Sequence, residues 1–173
     1  MLNRINRLSD LCIGKIASAD VRAPFIGEPE PQFSASVLSP ILMSYISGLE
    51  VAGLHVGGDG AGPVSIAPFM GRALRPDLTV LSFSSRLVSF EVKYVRYGSA
   101  SSDMAKAVGQ ATLYRAFGFQ RSVIVLIDQA RSLRREHVAA ARPKLLEVGV
   151  EVVVRQRVLD RLTADEDVLL MPT

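Results

Sequence analysis

Apolar residues recur at helical spacing in two stretches near the start of the chain. One covers about residues 3–17, and the other covers about residues 34–51, with Pro40 near its first turn. The prolines between them forbid continuous regular structure: Pro24, Pro29 and Pro31. The pattern therefore predicts an N-terminal appendage, a helix followed by a loop, over residues 1–33. Residues 34–173 are predicted to form a single domain, as expected for a chain of 173 residues.

The remaining apolar positions predict strands that alternate with helices. The glycine-rich stretch 57–62 is a strong turn signal between two short strands that can pair with each other. A strand, a helix and another strand in succession imply a parallel crossover. We therefore predict an α/β fold with a mixed central sheet, an antiparallel meander plus parallel edge strands, flanked by helices. The predicted strands are residues 54–56, 64–69, 78–83, 87–95, 122–127 and 150–154, and the further helices are residues 102–117 and 130–142.

Two carboxylates, Asp77 and Glu91, stand at strands that are otherwise apolar. A hairpin of these strands with a three-residue loop, made of residues 83–85, places Asp77 opposite Glu91. A two-residue loop would put the two carboxylates on opposite faces of the sheet. The preferred register gives four further cross-strand pairs: Leu78 with Phe90, Thr79 with Ser89, Val80 with Val88, and Leu81 with Leu87.

In this register the carboxylates of Asp77 and Glu91 repel each other, because their Cβ atoms are about 5 Å apart. A divalent cation would neutralise them. Lys93, two residues after Glu91, points to the same face and can approach the site. Oxygen ligands open to water suit Mg²⁺ or Mn²⁺ better than zinc. The alternative interpretation is structural: Asp77 caps a turn, and Glu91 pairs with Lys93 or an arginine on a solvated sheet face.

These residues resemble the motif of the PD-(D/E)XK nuclease superfamily. Pro76-Asp77, thirteen intervening residues and Glu91-Val92-Lys93 match its signature. The predicted order of helix, antiparallel hairpin, helix and parallel strand is also similar to the order in that superfamily. The resemblance covers about residues 50–128, and it implies a restriction-endonuclease-like core.

The resemblance also implies roles for individual residues. The implied metal ligands are Asp77, Glu91, the backbone carbonyl of Val92, and Glu50 as the upstream acidic residue. Glu28 or Glu30, in the preceding loop, could fill the role of Glu50. Lys93 would orient or activate water and stabilise charge on the phosphate.

Gln110 and Tyr114, in the next predicted helix, are similar to the QxxxY element of the branch that includes RecB-type exonucleases. Their i, i+4 spacing puts them on one helical face. The resemblance implies catalytic roles for both, whereas a tyrosine that faces a sheet is also common as an ordinary core residue. Lys106 lies along the same stripe and either leads nucleic acid toward the pocket or is simply solvated.

The positive charge of the chain favours an anionic partner when its position along the sequence is considered. The chain has a formal net charge of +3, and the segment 71–96 alone carries the same net charge. Clustered arginines of this kind are typical of phosphate-backbone contact. The predicted nucleic-acid contacts are Arg72, Arg75 and Arg96, together with Lys106.

The sequence as a whole favours a divalent-metal-dependent deoxyribonuclease, an endonuclease rather than an exonuclease, that uses Mg²⁺ or Mn²⁺ and binds DNA. A homodimer or a subunit of a larger DNA-processing complex is expected, because a chain of this size offers little surface for reading sequence. Two alternatives remain: a non-catalytic nucleic-acid-binding or assembly subunit with the same fold, and an unrelated α/β protein with a coincidental motif. No stretch approaches the roughly 18 apolar residues of a membrane span, so no membrane association and a cytoplasmic location are expected.

Overall fold

A computed structural model describes residues 2–62, 67–83, 85–95, 100–128 and 132–155. The strands in these ranges are β1 (Leu54–Gly58), β2 (Ala67–Phe69), β3 (Arg72–Leu74), β4 (Leu78–Ser82), β5 (Ser85–Tyr94), β6 (Arg121–Ile127) and β7 (Val150–Arg155). Five strands form one sheet in the order β1-β4-β5-β6-β7, and β2 pairs with β3 in a separate hairpin. β1, β4 and β5 are antiparallel neighbours, whereas β5, β6 and β7 are parallel. The predicted α/β class and mixed sheet are confirmed.

Helices cover both faces of the five-stranded sheet. They are α1 (Leu2–Ser18), α2 (Glu30–Phe33), a π-helical segment (Ser34–Leu38), α3 (Ser39–Gly48), α4 (Ala100–Ala116) and α5 (Arg135–Glu147). The N-terminal helices pack on one face, where Val80, Val88 and Phe90 are buried with them. The other face carries α4 against Ile124 and Leu126. None of the described helices is long and apolar enough to span a membrane.

The N-terminal segment, which we predicted as an appendage over residues 1–33, packs into the same core as the sheet. Cys12 and Ile16 of α1 and Phe33 of α2 are buried in the same core cluster as the sheet. Phe33 is followed directly by the π-helical segment and α3, without a break in the helical backbone. Pro31 does not interrupt this stretch, because it lies in the first turn of α2, where its missing N–H leaves no helical bond unmade.

Three other elements differ from the prediction. β1 pairs with β4 rather than with a strand over residues 64–69, of which 64–66 lie outside the described residues. The hairpin of β2 and β3 was not predicted. The last helix begins at Arg135 and passes Pro143, although we expected it over residues 130–142. This helix buries no residue, so its apolar pattern carried little information about its bounds.

The hairpin of β4 and β5 keeps the predicted register at the end nearest Asp77. Three predicted pairs are confirmed: Leu78 with Phe90, Thr79 with Ser89, and Val80 with Val88. A β-bulge after Val80 then shifts the pairing, so Leu81 pairs with Arg86 and the predicted pair with Leu87 is wrong. β5 begins at Ser85, which means that the loop is also shorter than predicted. The bulge takes up the difference and leaves Asp77 opposite Glu91.

Candidate functional site

Asp77 is fixed at the start of β4 by both its side chain and its backbone. Its Oδ2 accepts a 2.6 Å hydrogen bond from the backbone N–H of Val92. Its carbonyl oxygen accepts a 2.8 Å hydrogen bond from the N–H of Asp59, in the glycine-rich loop after β1. A Cβ atom at Gly58 would lie 2.3 Å from the same carbonyl oxygen, so only glycine lets the loop approach this closely.

Glu91 lies opposite Asp77 on β5, and its side chain is 3% exposed. Its Oε1 is 3.1 Å from Nζ of Lys93. Its Oε2 is 3.1 Å from the hydroxyl of Tyr114, which also lies 3.0 Å from the carbonyl oxygen of Arg75. The tyrosine proton can go to either acceptor, so α4 is tied both to β5 and to the residues that lead into β4.

Lys93 bridges two glutamates from distant parts of the chain. Its Nζ lies 2.9 Å from Oε2 of Glu30, the first residue of α2, and 3.1 Å from Oε1 of Glu91. The other oxygen of Glu30 accepts a 2.9 Å hydrogen bond from the N–H of Tyr94. Because the Lys93 side chain is only 13% exposed, this ion pair is held inside the protein.

Carboxylates take the place of a neighbouring strand along part of β5. β4 begins at Leu78, whereas β5 continues past it to Tyr94. Along this stretch the N–H groups of Val92 and Tyr94 donate to the carboxylates of Asp77 and Glu30. A strand edge with unpaired N–H groups needs acceptors, and here acidic side chains supply them. This requirement gathers negative charge at one end of the sheet.

Burial dominates the electrostatics of the site. Burial, reinforced by the charge of Glu91, raises the pKa of Asp77 to about 7. Burial also raises the pKa of Glu91, although Lys93 and Tyr114 partly oppose the change. Burial lowers the pKa of Lys93, but Glu91 and Glu30 raise it by more, so its net shift is upward. The lysine therefore remains an ammonium at neutral pH, while the paired carboxylates resist ionisation.

Gln110 and Tyr114 share the face of α4 that is turned toward the sheet, as predicted. Burial and the charge of Glu91 raise the pKa of the fully buried Tyr114, and a hydrogen bond from Gln110 partly opposes this. Oε1 of Gln110 is buried and has no hydrogen-bond partner within the described ranges. The pair therefore reaches Glu91 through the tyrosine hydroxyl and leaves one buried acceptor unsatisfied.

Glu50 does not join this group, contrary to the expectation that it is the upstream acidic residue. It is exposed just after α3, and no hydrogen bond or ion pair in the described part of the chain links it to the residues around Lys93. The acidic residue that reaches Lys93 is Glu30, one of the two alternatives in the preceding loop. Glu28, the other alternative, is engaged by Arg22 at 2.7 Å.

Asp59 belongs to the same site, although we predicted only a turn there. Its charge adds to the effects that raise the pKa of Asp77, and burial raises the pKa of Asp59 itself. The signal in the sequence is a single acidic residue within a glycine-rich stretch that directly follows a strand. Glycines there allow a close approach to Asp77 rather than flexibility.

Two of the predicted phosphate contacts can be placed by their side chains. Arg75 is exposed, two residues before Asp77, and no ion pair with a described residue engages its guanidinium. Lys106 is exposed on α4. The side chain of Arg72, on β3, and the whole of Arg96 lie outside the described residues.

The oxygens of the site suit a hard divalent ion but do not converge on a ready-made metal centre. Among the described residues, no three or more His, Cys, Asp or Glu side chains are arranged to hold a metal. The carboxyl groups of Glu91 and Glu30 nevertheless contact one ammonium, with Asp77 close by, so ionisation of all three would leave two negative charges uncompensated. With the unsatisfied Oε1 of Gln110 nearby, this donor set fits Mg²⁺ or Mn²⁺ and its bound water.

The chain matches no protein-family model, no curated protein sequence and no solved structure. What the fold and the site define is an α/β protein with an acidic, lysine-containing cluster at one end of a mixed sheet. Any function must therefore be argued from that cluster.

Proposed function

We propose that the protein is a divalent-metal-dependent nuclease that hydrolyses phosphodiester bonds in DNA. The observation that carries this proposal is the cluster itself. Asp77 and Glu91 are held opposite each other at one end of the sheet, and Lys93 is the only cation within hydrogen-bond reach of Glu91 in the described structure. Titratable groups with raised pKa values are enriched at catalytic sites.

The mixed sheet with helices on both faces supports a restriction-endonuclease-like core. An antiparallel hairpin carries Asp77 and Glu91, and α4 then crosses to the parallel strand β6. Glu30, at the start of α2, stands where such a core would need an acidic residue from the first helix. The proposal therefore replaces Glu50 with Glu30 in the ligand set.

The residues of the site have distinct roles in the proposed reaction. Asp77, Glu91, Glu30 and the carbonyl of Val92 would hold the metal, which when bound would lower the pKa of water and screen the phosphate. Lys93 stays protonated, so it stabilises negative charge on the phosphate and orients water rather than acting as a general base. Tyr114 holds the Glu91 carboxylate in place, and Gln110 presents its acceptor beside it.

The test is cleavage of labelled duplex, single-stranded and branched DNA with Mg²⁺, with Mn²⁺ and with EDTA. We expect cleavage that requires the metal, with an endonucleolytic product pattern. Asp77→Asn, Glu91→Gln and Lys93→Ala should each lower the rate by at least about 100-fold. The matched controls are Glu147→Gln and Lys144→Ala, which change exposed residues on α5 and should leave the rate unchanged. Full activity in either carboxylate variant would contradict the proposed site.

One observation favours a second candidate, a non-catalytic nucleic-acid-binding or assembly subunit. Lys93 already forms ion pairs with both Glu30 and Glu91, so the lysine can serve as a purely structural cation between them. This candidate predicts that the protein binds DNA but does not cut it with any divalent ion. It also predicts a large loss of melting temperature in Lys93→Ala, whereas the nuclease proposal predicts a loss of rate.

A further inference from the structure

The turn that joins β2 and β3 contains a residue that is unusual for the backbone conformation of the turn. Phe69 pairs with Arg72, so Met70 and Gly71 form the two-residue loop. Both loop residues have positive φ, 48° and 75°, which is typical of a type I′ turn. Such turns favour Asn, Asp or Gly at the first position, because a larger side chain is strained there.

Met70 differs in this respect from the other two non-glycine residues of positive φ. Glu50 adopts its conformation where α3 ends, which is a common way to terminate a helix. The ring of Phe83 packs over Gly53, where its backbone N–H also donates to the carbonyl of Gly53. The side chain of Met70 is 88% exposed, so it buries almost nothing against the described residues. A strained, exposed and apolar residue without a folding role indicates a contact with a partner.

The hairpin is joined directly to the proposed active site. Leu74, at the end of β3, packs against the buried cluster of Phe119 and Tyr114, of which Tyr114 contacts Glu91. One residue further on, the carbonyl of Arg75 accepts the hydroxyl of the same tyrosine. The base of the hairpin is therefore held beside the site, because Asp77 follows two residues after Arg75.

The charges near the tip of this hairpin indicate what kind of partner it contacts. Arg75 is exposed and has no ion pair within the described ranges, and Arg72 lies next to the turn in sequence. Segment 71–96 has a formal net charge of +3. An apolar tip flanked by arginines is suited to nucleic acid, in which apolar bases lie inside a phosphate backbone.

We propose that Phe69 and Met70 form an apolar wedge that inserts between base pairs of DNA next to the phosphate to be cut. This inference rests on the proposed nuclease function and adds how the substrate is held. The wedge separates neighbouring base pairs and bends the duplex, while Arg75 contacts the phosphate backbone. Met70 is exposed in the free protein, so its side chain is accessible to DNA before binding.

The experiment uses the full chain and short duplexes that carry 2-aminopurine at successive positions, with Ca²⁺ in place of Mg²⁺ to limit cleavage. We expect wild-type protein to raise the 2-aminopurine fluorescence, because the probe becomes unstacked. Met70→Asn keeps the turn geometry and should lose that rise, with about tenfold weaker binding. Phe69→Thr, a second variant that keeps strand propensity, should show the same loss. Leu146→Ala, an exposed apolar residue on α5, is the matched control and should behave as wild type.

The possible outcomes separate the two proposals. If wild-type protein neither binds nor cuts any DNA, the proposed function fails and the wedge fails with it. If wild-type protein binds and cuts, but Met70→Asn unstacks DNA equally well, the wedge alone is overturned. A change in oligomeric state of Met70→Asn, measured by analytical ultracentrifugation, with unstacking unchanged would assign the hairpin tip to contact between copies of the chain instead.

Discussion

Asp77 is the residue on which most of the site depends. Its side chain accepts the N–H of Val92, its backbone accepts the N–H of Asp59, and the carbonyl of Arg75, two residues earlier, is available to Tyr114. Three other segments of the chain, β5, the loop after β1 and α4, therefore determine where one carboxylate lies. Its second oxygen, Oδ1, makes no hydrogen bond within the described structure and is available to a cation.

The raised pKa of Asp77 predicts a pH dependence of stability. In the unfolded chain an aspartate titrates at about 4, whereas burial and Glu91 raise the pKa in the folded protein to about 7. The folded state binds this proton more tightly, so the stabilisation is complete below about pH 4 and is lost as the pH rises to about 7. In EDTA the melting temperature should therefore fall between about pH 4 and pH 7. The melting temperature of Asp77→Asn should fall less over the same range. An equal fall would show that another group is responsible.

Glu30 and Glu50 give opposite predictions for the upstream acidic residue. Glu30→Gln removes an ion pair with Lys93 while its side-chain oxygen can still accept the N–H of Tyr94, so the fold should persist. We expect cleavage to drop by at least about tenfold, because the lysine loses one of the two groups that position it. Glu50→Gln should cut as wild type does. The rates are compared under saturating Mg²⁺, and the reverse ranking would restore the role that the sequence first suggested for Glu50.

At the scale of the elements, the regular alternation of apolar residues predicted how strands pair, whereas local irregularities in the strands could not be predicted. The alternation along β4 and β5 predicted the pairs near Asp77, because a slip of one residue would bring the buried set to the wrong face. The bulge after Val80 leaves no mark in that pattern, so the loop length was misjudged. The hairpin of β2 and β3 was missed because its strands are three residues long, Pro68 disfavours a strand, and Met-Gly is not a usual turn pair.

The candidate site shows the same division. Asp77, Glu91 and Lys93 lie on paired strands, where spacing along the chain translates into position, and the sequence could place them together. Glu30 reaches Lys93 only because α2 packs beside the end of β5, a tertiary relation that no local spacing encodes. Asp59 reaches Asp77 only because Gly58 permits close backbone contact.

The loop after β1 therefore makes its own prediction. Gly58→Ala places a Cβ atom 2.3 Å from the carbonyl oxygen of Asp77, at a φ of 115° that alanine rarely adopts. We expect a loss of at least about 2 kcal/mol in the free energy of unfolding, with cleavage reduced further because Asp77 moves. Gly14→Ala, on α1, is the control. Its Cβ meets nothing within 4 Å, so it should stabilise the protein by about 0.5–1 kcal/mol. Denaturant unfolding and cleavage rates measure both, and an unchanged rate in Gly58→Ala would contradict this role of the loop.

At the scale of the whole molecule, the site joins distant parts of one domain. α2 supplies Glu30, the hairpin supplies Asp77 and Glu91, and α4 supplies Tyr114. The core cluster that supports them includes α1, so removal of residues 1–33 would expose the sheet as well as delete a glutamate. The acidic groups of the site are thus largely buried, whereas Arg75, the described basic residue beside them, is exposed. This separation suits an anionic polymer that lies on the surface and places one phosphate at the site.

The same separation predicts that binding and cleavage depend on different cations. DNA affinity should fall steeply with salt, because each phosphate contact releases counterions. Arg75→Gln should lower the slope of log affinity against log salt by about one unit, and Arg72→Gln and Arg96→Gln should do the same if they contact phosphates. Arg142→Gln, an exposed residue on α5, is the control and should keep the slope.

Lys93→Ala should reduce cleavage far more than binding, since its ammonium acts at the reacting phosphate. Equal losses of binding and cleavage in Lys93→Ala and Arg75→Gln would show that Lys93 is only a further phosphate contact. Salt-dependent binding without cleavage in the presence of any divalent ion would favour the proposed binding subunit over the proposed nuclease.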